Sequence, residues 1–340
     1  MAIKDIKQLA VASAKRQAPA NFSIDTVDKA LIGELNNYAG SLQKFMKNRY
    51  DIYEIIQEAS NAVIEEQLNA LVGSFADVRF VGQGEKVRFR TPLSKTRAKK
   101  FLTNAAAAGV YRTFRLDAPT FDVQTHAQGI AAILDFERIL DGTEVYADAM
   151  AAISEGLSET VYNEVLRALE SLVDVNLPAA NKAIDSNFSA ANLAKIANIV
   201  RTYSDDNKAI ILASPEFIAE MGADAIVTPT QNVGGVYSPE DISDIRNLGH
   251  VTMFRGNIVV PLRQEYLDFD NKEAKVDPSI AYVLPSSKEK VVKVVVEGGT
   301  QIADYQNRDW SMEIQAYHKV GAAIVSTNAI GVYQNSSLKA

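Results

Sequence analysis

The chain has 340 residues, 47% of them apolar and 23% charged, a balance that excludes global disorder and suffices to bury one large core or two modest ones. It contains no cysteine, which removes disulfides, thiolate metal sites and thiol nucleophiles. Its formal net charge is −7, yet Glu85 to Leu116 holds nine basic residues against one acid, so that segment carries +8 and the remainder −15.

The opening stretch, MAIKDIKQLAVASAKRQAP, is not a secretory signal, because Lys4, Asp5 and Lys7 interrupt it and no apolar run follows. Ile3, Ile6, Leu9, Ala10 and Ala14 suit a short amphipathic helix, expected to be an arm that a partner orders. Residues 25–74 read as helical. In DIYEIIQEASNAVIEEQLNALVGSF, Ile52, Ile55, Ile56, Ala59, Val63, Ile64, Leu68 and Leu71 fall near one face, and Gly73 suits the end. The texture then changes to two-residue alternation in FADVRFVGQGEKVRFRTP, the mark of extended strand, with Gly82 and Gly84 at a turn. After Pro92 a polar tip leads into a second extended arm through Val110, Phe114 and Leu116. About 32 residues folded back on themselves give arms of roughly 16, reaching about 50 Å at ~3.3 Å per residue. A hairpin that long cannot be packed on both faces by its own chain.

From Thr143, Val145, Ala149, Ile153, Leu157, Val161, Val165, Leu169 and Leu172 repeat at nearly constant spacing, a helix of about 30 residues and some 45 Å. Asp141-Gly142-Thr143 supplies the turn and N-cap. A four-residue step overshoots a full turn by about 40°, so the stripe drifts around the rod and meets different layers along it. From Ser189 to about Gly298 short elements alternate. They are the helix AANLAKIANIVRTY, the buried strand AIILA before Ser214-Pro215-Glu216, and the helix SPEDISDIRNLG with Ser238 as cap and Pro239 in its first turn. Strands HVTMFRG, NIVVPL, SIAYVLP and KVVKVVVEG follow, and SMEIQAYHKVGAAIVSTNAIGVYQ is expected to return as strands to the first core. No stretch reaches about 18 uncharged apolar residues, which argues against a membrane span.

The residues offer little chemistry. His126, His250 and His318 are scattered without ligand-like spacing and read as structural. VGQGEKV lacks the third glycine of a phosphate cradle and precedes a strand. DFDNKEAKVDP begins like a calcium loop at Asp268 and Asp270, but Lys272 occupies the next ligand position and no glycine follows, so it reads as a solvated loop. No catalytic, metal or cofactor residue is assigned. The charge anomaly remains. Basic residues interleaved with Phe89, Phe101, Tyr111 and Phe114 fit nucleic-acid binding, docking onto an acidic surface of another copy, or a plain solvated hairpin. A −15 remainder repels a polyanion and offers identical copies a partner, so self-association is favoured. The candidate subunit-contact residues are Arg88, Arg90, Lys95, Arg97, Lys99, Lys100, Arg112 and Arg115.

RYDIYEIIQEA, GSFADVRFVGQGEKVRF, NLGHVTMFRGNIVVPL and DWSMEIQAYHKVGAAIVSTNAIGVYQ are similar to segments of tailed-bacteriophage major capsid proteins of the Hong Kong 97 type. The resemblance covers most of the chain in order. It implies an α+β fold with an N-terminal arm and helix over 1–74 and an extended β-hairpin loop over 75–120. A peripheral domain would comprise 121–204 and 299–340, with a spine helix over 144–174, and an axial domain 205–298. It further implies a non-enzymatic head protein whose copies form the hexamers and pentamers of an icosahedral shell around double-stranded DNA, held without sequence specificity. The protein would assemble in the host cytoplasm and reside in the virion. Portal, scaffolding and decoration proteins are the implied partners, with no cofactor and no membrane. Apolar burial along Phe89, Phe101, Phe114 and the spine helix is expected to hold the shell, because exposed ion pairs contribute only about 0–1 kcal/mol each. Some relatives weld subunits through a lysine–asparagine bond; Lys95, Lys99, Lys100, Asn328 and Asn335 match no such motif residue by residue and receive no role. A separate scaffolding protein is expected, because little chain precedes the first core helix. An encapsulin-type compartment shell and a basic-loop nucleic-acid-binding protein are the alternatives.

Overall fold

The computed structural model of the chain describes residues 3–15, 23–39, 42–90, 120–134, 146–174, 177–222, 250–306 and 312–338. They fall into two compact units, one of Met1–Val87, Asp122–Val165 and Lys293–Ala323, the other of Arg88–Phe121, Leu166–Val292 and Ile324–Ala340.

In the first unit the helical N-terminal region resolves into α1 (Ile3–Ala14), α2 (Ile24–Ala39) and α3 (Leu42–Leu71). The 3–4 spacing read from the sequence becomes the buried face of α3, with Ile52, Ile55, Ala59, Val63, Ile64 and Leu68 all out of solvent. Helix α1 lays Ile6 and Ala10 onto Ile55 and Ala59, and Leu31 of α2 completes the cluster. Lys7 Nζ reaches the carboxylates of Glu54 and Glu58 at 2.6 and 3.1 Å, and Lys15 Nζ that of Glu66 at 3.2 Å. The segment expected to await a partner is therefore docked on its own chain. Its apolar stripe meets the stripe of α3, and closing the intervening loop adds little entropy cost because that cost grows only with the logarithm of loop length.

Beyond α3 the chain enters β1 (Ala76–Val81), the first strand of a four-stranded sheet in the order β1, β10 (Val292–Gln306), β11 (Met312–Ile324) and β4 (His126–Leu134). Strands β11 and β4 run antiparallel, with His318 opposite Gln128. The long helix expected from residue 143 is α4 (Tyr146–Asp174); residues 143–145 lie outside the described residues. Leu157, Val161 and Val165 are fully buried in the first unit, as is Leu169 in the second. Tyr162 and Leu166 join the buried set, as the drift of a four-residue stripe requires.

The second unit is built on a six-stranded sheet in the order β5 (Lys182–Asp185), β12 (Gly331–Asn335), β9 (Ile280–Pro285), β6 (Ala209–Ala213), β8 (Asn257–Pro261) and β7 (Met253–Phe254). Strand β6 pairs parallel with β8 and antiparallel with β9. Both β6 and β9 are buried at every residue, which is why AIILA and IAYVLP are continuous apolar runs rather than alternations. Helix α5 (Ala190–Arg201) contributes Leu193, Ile196, Ala197 and Val200 to the core. Helix α6 (Pro215–Met221) contributes Phe217 and Ile218, and Ser214 Oγ caps it by accepting Phe217 N–H at 3.1 Å. Phe188 packs edge-on against Phe217, Phe254 and Tyr333, with centroids 5.9, 6.4 and 6.0 Å away.

The C-terminal strands divide between the two sheets. Strand β11 joins the four-stranded sheet as expected, but β12 inserts between β5 and β9 of the six-stranded one. Burial explains the difference. Gly331, Val332 and Tyr333 are all buried in succession, the pattern of an interior strand, and a Cβ on Gly331 would lie 2.2 Å from Ile196 Cγ2 of α5. The helix expected at SPEDISDIRNLG lies outside the described residues.

Ile6→Ala should lower the stability of the isolated subunit by about 2–4 kcal/mol, read from the urea midpoint. An unchanged midpoint would mean that α1 is not docked in solution.

Candidate subunit-contact site

Of the eight basic candidates, Arg88 and Arg90 stand on β2 (Arg88–Arg90), which pairs with β3 (Thr120–Asp122) in a two-stranded sheet. Arg88 is exposed. The side chain of Arg90 lies outside the description, and so do Lys95, Arg97, Lys99, Lys100, Arg112 and Arg115, together with the polar tip and second arm of the expected hairpin. Phe89, expected to face a neighbouring copy, is instead 2% exposed and stacks on Phe121, with ring centroids 5.8 Å apart and planes at 27°. Its apolar surface is already covered within its own chain. The same correction applies to α4, whose Leu157, Val161, Val165, Leu169 and Leu172 are buried within this chain.

Glu297 of β10 is the residue that sequence reading missed. Its carboxylate accepts the Gly84 N–H at 2.8 Å and the Thr125 hydroxyl at 2.6 Å, with Lys319 Nζ 3.5 Å away. Gly84 sits at φ +80°, a conformation glycine adopts freely, in a turn closed by Glu85 N–H donating to Gly82 O at 3.1 Å. In the chain Gly84 shortly precedes β2 and Thr125 shortly follows β3, so one side chain ties both ends of the basic excursion. The Thr125 hydroxyl, then the Gly84 amide and Lys319, hold the Glu297 carboxyl below the usual carboxylate range. The only local signal was a lone acid closing the valine run KVVKVVVEG.

His318 and His126 each set a ring nitrogen against a side chain of α4. His318 is 1% exposed, and its Nε2 lies 2.8 Å from Thr160 Oγ1. That hydroxyl donates its one proton to Leu157 O at 2.7 Å, so it accepts from Nε2–H and leaves Nδ1 as a bare acceptor. Burial brings the imidazole down to about 4. Beside it a hollow of about 360 Å³ is lined chiefly by apolar groups, among them Ile64, Phe80 and Val296. The exposed His126 places Nε2 3.5 Å from the buried Glu164 carboxylate. The calcium-like loop is a self-satisfied turn, because Asp268 accepts the Lys272 and Glu273 N–H groups at 2.8 and 2.9 Å with the oxygen a cation would need. Among the described residues no group of three or more histidines and carboxylates is placed to hold a metal.

The family model described as "SPbeta prophage-derived putative capsid protein YonB" matches residues 6–334. No curated protein matches the chain. Among solved structures it is similar to the capsid of the cyanophage P-SCSP1u, at 10% identity over 78% of this chain and 88% of that one with a TM-score of 0.49. It is also similar to a virus-like particle from Pyrococcus furiosus, at 12% identity over 83% and 99% with a TM-score of 0.46. A third is the holo-SrpI encapsulin complex from Synechococcus elongatus, at 11% identity over 78% and 87% with a TM-score of 0.46.

Between pH 6.5 and about 4 the unfolded chain binds a proton at His318 that the folded chain refuses. Stability should therefore fall on acidification through that window, by about 3 kcal/mol in all. Glu297, whose folded value is depressed, adds a loss only below about 4.5. Urea midpoints at pH 7 and 5 for the wild type and His318→Gln test this: the wild type should lose more, and equal losses would mean that the ring is not buried and neutral.

Proposed function

The chain belongs to the SPbeta prophage-derived YonB capsid-protein family, and from that premise we propose that it is the major head protein of a phage, forming the pentamers and hexamers of an icosahedral shell around double-stranded DNA. It is a structural shell protein. A helical N-terminal region, a strand ribbon, a long helix, a mixed-sheet unit and late strands follow in the order of the Hong Kong 97 type. The observation that carries the reading is the family match, which runs through nearly the whole chain, from residue 6 to 334.

Within this reading, the unit built on the six-stranded sheet is the axial domain that meets its counterparts at the centre of each capsomer; because β5 and β12 belong to that sheet and residues 293–298 to the other unit, its bounds differ from the expected 205–298. The loop expected over 75–120 overlays the peripheral domain of a neighbour, the unit built on the four-stranded sheet. The separation of charge supports that role: +8 in Glu85–Leu116 faces −15 on the rest of each identical copy. Charge of this kind supplies encounter rate and register, while cohesion comes from apolar burial. The acidic remainder also suits a container that encloses a polyanion without gripping it. Portal, scaffolding and decoration proteins are its partners, and the virion its location. No helix among the described residues is long and apolar enough to cross a membrane.

Reversing Arg97, Lys99 and Lys100 together to glutamate should leave the subunit folded by circular dichroism and reduce particle yield at least several-fold by electron microscopy. Normal particles would remove the electrostatic role of the loop. Nuclease-protected DNA within purified particles is the expected result for a phage head; particles filled with protein cargo would replace that reading with a cellular compartment.

A further inference from the structure

Between β8 and β9 the chain runs out and back as a short, closely tied ribbon. Lys275 N–H donates to Glu265 O and Leu267 N–H to Glu273 O, each at 2.8 Å, and Tyr266 pairs antiparallel with Ala274. At its foot the Gln264 side chain bonds both the N–H and the carbonyl of Val276 at 2.9 Å. At its tip Asp268 holds the Lys272 and Glu273 amides, and Asn271 turns the chain at φ +56°. This backbone is fixed by its own bonds, yet it carries three large apolar side chains outward: Tyr266 is 50%, Leu267 69% and Phe269 108% exposed.

The ribbon's charges are largely answered within it. Glu265 receives Arg263 at 2.7 Å and Lys275 at 3.4 Å, and Lys272 lies 3.4 Å from Asp270. Residues 263–275 hold three basic and four acidic side chains, a net charge of −1. A surface without cationic excess does not capture nucleic acid or an anionic membrane. What it offers is apolar area on a turn that needs no further ordering before it binds.

We propose that Tyr266, Leu267 and Phe269 form an apolar anchor that docks onto a second copy of this chain within the shell. The inference rests on the capsid reading, which makes the same chain the most abundant surface each subunit meets. Charge opposes it little, since a tip of net −1 whose cations are paired within it meets an acidic copy with far less repulsion than a polyanionic partner would. Size sets the manner. Burying an aromatic side chain covers about 150–250 Å², so the tip supplies roughly half of the ~800 Å² per partner of a standard stable interface. The tip therefore acts as a concentrated anchor inside a wider contact and does not dimerise free subunits by itself.

The test uses full-length protein. Leu267→Ser combined with Phe269→Ser should leave the urea midpoint unchanged, because both side chains face solvent, and should cut particle yield at least tenfold. A photoreactive benzoylphenylalanine in place of Phe269, illuminated in assembled particles, should give a covalent species of twice the subunit mass. Wild-type yield from the serine variant, or a cross-link to a different protein or to lipid, overturns the proposal. If the wild type forms no particles even when co-expressed with its scaffolding protein, the capsid reading fails; if the wild type and the serine variant assemble alike, only the anchor fails.

Discussion

Glu297 brings one negative charge to a point where an amide, a hydroxyl and an ammonium converge from Gly84, Thr125 and Lys319. Ionised, it satisfies two donors that strand geometry alone leaves open, and it does so at the two places where the chain departs into its basic excursion and comes back. Without that acceptor the exposed Gly84 amide would turn to water, and the tie between the turn, Thr125 and β10 would be lost. One carboxylate thus joins the turn ahead of β2 to the segment behind β3.

The apolar residues that periodicity marks most strongly, along α3, α4 and β6, are consumed in the chain's own interior. Phe89, which the sequence presents as an apolar residue between two arginines, covers its ring on Phe121. Among the described residues, what remains outside is a set of discrete side chains, including Phe80, Tyr266, Leu267 and Phe269. Apolar patches of that size are weak one at a time, which suits a shell whose subunits must sample and correct their placement before the whole closes.

Periodicity made much of the fold legible. A 3–4 apolar repeat identifies α3, α4 and α5 because one face of each is buried, and uninterrupted apolar runs identify β6 and β9 because both of their faces are. The same signal is silent on whose surface a face meets. Ile6 and Ala10 mark α1 as amphipathic, but only the structure shows that Ile55 and Ala59 of the same chain lie beneath them. Glu297 could not be found from sequence, because its bond to Gly84 spans 213 positions and no local pattern encodes such a pairing. The charges of DFDNKEAKVDP mark it as a solvated loop, but composition carries no information on the outward direction of Phe269. The basic residues were legible as a charge anomaly; of them, only Arg88 has a described side chain, and it stands exposed on β2.

The placement of β12 between β5 and β9 governs when the subunit becomes competent. Strands from residue 182 onward cannot complete the sheet until residues 331–335 have left the ribosome and threaded into the gap between them. A chain that stops before residue 331 therefore lacks the strand that joins β5 to β9, and its second unit stays unfinished.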